Sequence, residues 1–125
     1  MKKHYLLLLA GIILVSVFTS YYSKTEKKQE FIYENGNQKI EIKILSGNDY
    51  LEYDKSIRTN FELTNITPSD LMIVGRGVRF LGSENGNVKT QIKVKSNDLE
   101  ADTLAIRVRY GEQPEENHEF FVPVK

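Results

Sequence analysis

His118 is the only histidine beyond the amino-terminal Lys2-Lys3-His4, and the 125-residue chain has no cysteine. One usable imidazole and no thiol cannot make a His/Cys metal cage or a Cys-His nucleophile pair within one chain. His118 is therefore expected to lie exposed at the start of a strand rather than to serve as a general base. No Gly-x-Ser-x-Gly elbow or Gly-rich phosphate loop occurs, and Gly75-Arg76-Gly77 lacks the Lys and following helix of a phosphate cradle, so it reads as a strand kink or turn. Asp98, Glu100 and Asp102 alternate as the first ligands of a calcium loop do, but the Gly of the sharp turn and the distal Glu are missing, which leaves a solvated loop. Glu112, Glu115, Glu116 and Glu119 form an acidic patch, and glycoside hydrolysis would need two such carboxylates held across a cleft. No cofactor, no metal and no catalytic residue is expected.

Charge narrows the partners. Lys+Arg and Asp+Glu both number 17, which argues against a general nucleic-acid binder. Five of those cations (Lys2, Lys3, Lys24, Lys27, Lys28) and two anions fall in residues 1–30, leaving 12 basic and 15 acidic side chains beyond, a net of −3. Lys89, Lys93 and Lys95 on one run and Arg107 and Arg109 on another would make a basic stripe if the two runs were neighbours in one sheet. In opposite sheets they are ordinary solubilising residues, and that is the expectation.

The elements follow from hydropathy. Residues 5–23 contain no Asp, Glu, Lys or Arg. The most apolar part, 6–18, fits a signal h-region, while residues 5–22 would reach about 27 Å as helix, close to a hydrocarbon core. Candidate cleavage after Thr19, Ser20 or Ser23 meets Val17, Phe18 or Tyr21 at the −3 position, and Tyr21-Tyr22 before Lys24 resembles the aromatic belt of a retained span. The residues favour an uncleaved anchor over residues 1–23. Lys24, Lys27 and Lys28 rival Lys2 and Lys3 under the positive-inside rule, but a short tail with two Lys is hard to translocate. Residues 24–125 are accordingly placed outside the cytoplasm, in a single-pass inner-membrane topology.

Residues 24–30 read as a polar stalk, and residues 31–125 as one domain in which apolar residues alternate. Ile40, Ile42 and Ile44 do so; so do Ile57, Thr59, Phe61 and Leu63; Val88, Thr90, Ile92 and Val94; and Leu104, Ile106, Val108 and Tyr110. Shorter runs at 31–33, 50–53, 71–74, 78–81 and 119–124 bring the expected strands to eight or nine. Turn residues recur about every ten positions, as expected of an all-β, two-sheet sandwich. The tetrapeptide Glu34-Asn35-Gly36-Asn37 recurs as Glu84-Asn85-Gly86-Asn87, either as a duplication or, as preferred here, because two hairpins use the same turn chemistry.

From about residue 53 to 124, the order of strand, Pro-Ser-Asp turn, Leu71-Met72-Ile73-Val74, Gly75-Arg76-Gly77, Asn-Gly turn, strand, acidic loop, strand and final Phe120-Phe121-Val122 resembles the immunoglobulin-like repeats of gliding-motility and type IX secretion shaft proteins. Ser56-Ile57-Arg58 stands where an Asn-Pro often opens the first such strand. The resemblance implies an exported immunoglobulin-like sandwich of a Bacteroidetes-type envelope that packs against other proteins. Taken with the anchor, the expectation is a non-enzymatic, membrane-anchored interaction or structural module of the bacterial envelope. Its contacts are expected on the loops that hold Pro68 and Asp70 and Glu112, Glu115 and Glu116. A small exported enzyme or solute-binding protein with a site among the acidic loops is the alternative.

Overall fold

The computed structural model describes residues 28–112 and 115–125. The amino-terminal apolar run lies outside these residues, and among the described residues no helix is long and apolar enough to cross a membrane. The chain forms β1 (Phe31–Asn35), β2 (Gln38–Ile44), β3 (Ser56–Thr64), a 3-10 turn (Pro68–Asp70), β4 (Met72–Gly75), β5 (Val78–Glu84), β6 (Asn87–Lys93), β7 (Thr103–Tyr110) and β8 (Glu116–Pro123). They make two antiparallel sheets, ordered β1-β2-β3-β6-β5 and β4-β7-β8.

The alternation read from the sequence is the burial pattern. Ile40, Ile42, Ile57, Phe61, Val88 and Ile92 of the larger sheet and Leu104, Ile106, Val108, Phe120 and Val122 of the smaller meet in one buried cluster. Thr59 and Thr90, also on the inner face, are paired across β3 and β6, and their buried hydroxyls hydrogen-bond to each other while Thr90 Oγ1 also donates to the Thr59 carbonyl at 3.1 Å. Two hydroxyls are thus buried without an orphaned donor. Lys89 and Lys93 lie on β6 and Arg107 and Arg109 on β7, in different sheets, so no basic stripe joins them.

Residues 50–53 do not form a strand of their own. Leu51 and Tyr53 instead make isolated parallel bridges, to Val124 beyond β8 and to Val94 beyond β6. The reason is positional: the segment crosses from one sheet to the other at the end of the core, where each sheet can offer only one or two backbone partners. Leu51 is buried there, its N–H donating to Pro123 and its carbonyl accepting from Lys125. Asp54, at φ 60°, then turns the chain into β3 while its carboxylate accepts the Ser96 N–H at 3.1 Å and the Ser96 hydroxyl.

The repeated tetrapeptide does not build the same turn twice. In the β1–β2 hairpin Asn35 pairs with Gln38 across Gly36-Asn37, with positive φ at Gly36 and not at Asn37, the pattern of a II′ turn. In the β5–β6 hairpin Glu84 pairs with Asn87 across Asn85-Gly86, both at positive φ, the pattern of a I′ turn. The loop has slipped by one residue, and the two hairpins flank β3 on opposite sides. Gly75-Arg76-Gly77 is the turn joining β4 to β5, and it crosses between the sheets. A Cβ on Gly77, at φ +79°, would lie 2.1 Å from the Lys93 carbonyl oxygen.

Two outcomes are expected in thermal or denaturant unfolding. Gly77→Ala should lose about 2–4 kcal/mol, whereas Gly36→Ala, with nothing near its added methyl, should lose about 1 kcal/mol. Ile106→Asp should unfold the domain by burying an unpaired charge, while Arg107→Asp on the opposite face should change stability by less than about 1 kcal/mol. Similar losses for the last two would mean the faces are assigned wrongly.

Candidate functional site

The strand directions sort the connections to two ends of the domain. Residues 28–30 lead into β1 at one end, where Gln29 N–H donates to the Asp49 carboxylate at 2.8 Å and the Lys28 ammonium to the Gly47 carbonyl. The β2–β3 and β6–β7 connections and the last residue, Lys125, belong to this end, since Lys125 exchanges backbone hydrogen bonds with Leu51 and Tyr53. At the other end are the two Asn-Gly hairpin turns, the β3–β4 connection and the β7–β8 connection. Residues 28–30 therefore enter the domain opposite those four segments.

The acidic candidates and the Pro68–Asp70 turn share that second end. Met72 pairs with Arg109 and Tyr110 with Glu116, so the β3–β4 and β7–β8 connections leave the smaller sheet side by side. Pro68 starts a single 3-10 turn closed by the Leu71 N–H donating to its carbonyl at 3.2 Å, and the turn buries none of its residues. Glu112 and Glu115 are exposed and Glu116 is half-buried in β8. Glu115 lies 3.9 Å from Arg109, so one of the acidic charges is partly balanced.

His118 departs from expectation. It sits within β8 opposite Val108, on the inner face, and is half-buried. Its ring stacks on Tyr33 of β1 with centroids 4.1 Å apart and meets Phe120 edge-on at 4.6 Å. The imidazole thus acts as an aromatic filler that closes the sandwich where β1 meets β8, a position that a run starting at residue 119 hid. Burial holds it below the ordinary histidine pKa, with Glu119 opposing. Nearby, the Tyr110 hydroxyl is buried beside Asn35 and Tyr33 with no well-formed hydrogen bond among the described residues, and burial raises its pKa.

The remaining chemical candidates are taken up by the fold. Asp102 accepts the Tyr53 hydroxyl at 2.6 Å, a bond that raises the Tyr53 pKa, and the Asp98 carboxylate faces the Lys95 N–H at 3.3 Å. Arg76 donates to the Asp98 carbonyl at 2.8 Å, tying the β4–β5 turn to the β6–β7 connection. Among the described residues no three His, Cys, Asp or Glu side chains come together as metal ligands.

One surface was missed. The outer face of the smaller sheet shows Met72 and Val74 of β4 and Phe121 of β8, each more than half exposed, around Arg107 and Arg109. Val74, Arg76, Ala105, Arg107, Arg109 and Glu119 line a shallow depression of about 470 Å³ there. Arg107 is 3.8 Å from Glu119, so this contact leaves most of the guanidinium donors free to face a partner. Apolar side chains interleaved with Arg are the composition of protein interfaces. The signal in the sequence is adjacency: in Phe120-Phe121 and Met72-Ile73-Val74, neighbours point to opposite faces of a strand, so one apolar residue of each pair must lie outside.

No family model, no curated protein and no solved structure matches the chain.

Stability should report the half-buried imidazole. A histidine pKa lowered by folding means that the unfolded chain binds the proton more tightly, so stability falls with the pH from about 7.5 towards the folded-state pKa and then levels off. His118→Phe preserves the stack on Tyr33 and should flatten this part of the stability profile. An equal slope in the variant would assign the pH dependence to another group.

Proposed function

We propose that the protein is a membrane-anchored interaction module of the bacterial envelope, an immunoglobulin-like sandwich held outside the cytoplasm by residues 1–23. The observation that carries this reading is the placement of the stalk: residues 28–30 join the domain at the end opposite Pro68, Asp70, Glu112, Glu115 and Glu116. A chain anchored at its amino terminus would present those loops away from the bilayer. The strand order supports the immunoglobulin-like assignment, because β2-β3-β6-β5 facing β4-β7-β8 corresponds to A-B-E-D facing C-F-G, with β1 added at one edge. The resemblance to shaft-protein repeats supports an envelope setting. Tethering raises the effective concentration of the domain near membrane partners, so weak contacts suffice.

Topology comes first among the tests. Protease applied outside the inner membrane should remove residues 30–125, while the intact chain sediments with membranes; a protected domain, or a mature amino terminus near Ser20, would overturn the anchor. For the distal loops, replacing Glu112, Glu115 and Glu116 together with Ala should at least halve cross-linking to native membrane partners with the melting temperature little changed. His118→Phe should leave those cross-links intact. If His118→Phe abolished function and the triple variant behaved normally, a small enzyme or solute-binding protein would become the better reading.

A further inference from the structure

Strand β4 differs from the other sheet edges. Edges of natural sheets are guarded against pairing by charge, proline or bulges. β1 carries Glu34, β5 carries Arg79, Glu84 and a bulge between Phe80 and Gly82, and β8 carries Glu116, Glu119 and Pro123. β4 is Met-Ile-Val-Gly, with none of these. Met72 and Val74 are 51% and 55% exposed.

Phe80 provides an independent observation. It pairs with Thr90, whose side chain is buried in the core, and residues directly paired across strands share a face. Phe80 is therefore on the core-facing side of the larger sheet, yet it is 66% exposed. The larger sheet has five strands and the smaller three, and the smaller ends at β4. A strand added beside β4 would occupy the layer that should cover Phe80.

We propose that β4 pairs antiparallel with β4 of a second copy, joining two three-stranded sheets into one of six strands and covering Phe80 in both subunits. The sequence around β4 is complementary to itself. In an isologous pair centred on Ile73, Met72 faces Val74 of the partner subunit, and the exposed Asp70, in the turn before β4, is brought to the end of the pair where Arg76 of the partner subunit leaves the strand, twice by symmetry. A slip of one residue would set an inward side chain against an outward one. The pairing does not depend on the membrane anchor.

The native chain has no cysteine, so single cysteines report the register without interference. Full-length Met72→Cys and Val74→Cys chains, differently tagged, are mixed in detergent micelles under mild oxidation. The mixed disulfide should form roughly ten-fold faster than either like-with-like disulfide, because positions 72 and 74 face each other while 72 with 72 and 74 with 74 lie on the diagonal. Phe121→Cys, equally exposed but on the far edge of the same sheet, should remain at background. Adding Asp70→Arg to both chains should slow the mixed cross-link several-fold, and adding Arg76→Asp as well should restore it. Unchanged thermal unfolding of each variant shows that the domain is intact. Absent cross-linking, or equal rates for all pairs including Phe121→Cys, overturns the proposal.

Discussion

Two sheets of unequal width share a single buried layer of side chains, and the other features of the domain adjust to that mismatch. With no disulfide available, the layer itself must hold the fold, each large apolar side chain contributing about 1.5–3 kcal/mol against the entropy of ordering the chain. The central pair β3–β6 is buried along its whole inner face, to the point of enclosing the Thr59–Thr90 hydroxyl pair. Towards the edges the match fails in different ways. On one side Tyr33 and His118 stack to bridge β1 and β8; on the other, β5 extends beyond β4 and leaves Phe80 uncovered.

Most of the strands were legible because a strand with one buried face writes its position into the chain with a period of two. Ile40 and Ile42, Ile57 to Phe61, Val88 to Ile92 and Leu104 to Val108 all show it, and all are buried as that period requires. The bridging role of Leu51 and Tyr53 was not legible, since a short apolar run looks the same whether it joins one sheet or ties two. Nor was the turn slip in the two Asn-Gly hairpins: the tetrapeptides are identical, and the difference lies in which of their residues pair across the turn. His118 was misplaced because the apolar pattern at 119–124 starts one residue after it, while the strand starts at Glu116.

For the candidate surface, the acidic and proline-containing loops could be named from the sequence, but their shared position could not. That position follows from the pairing of Met72 with Arg109 and of Tyr110 with Glu116. The exposed face around Met72, Val74 and Phe121 was hidden for a related reason. Apolar residues at both parities of a strand are ambiguous until the sheet shows which parity the core has used.

The attachment of β1 has a mechanical consequence. The five residues of β1 run from residues 28–30 towards the far loops, paired one for one with β2. Hydrogen bonds between antiparallel strands lie across the strand axis. A pull between residue 28 and the far end is directed along that axis and therefore shears the whole β1–β2 ladder at once, whereas a pull across the sheet would open it one pair at a time. A force applied at residue 28 would therefore reach the rest of the domain through bonds that share it in parallel.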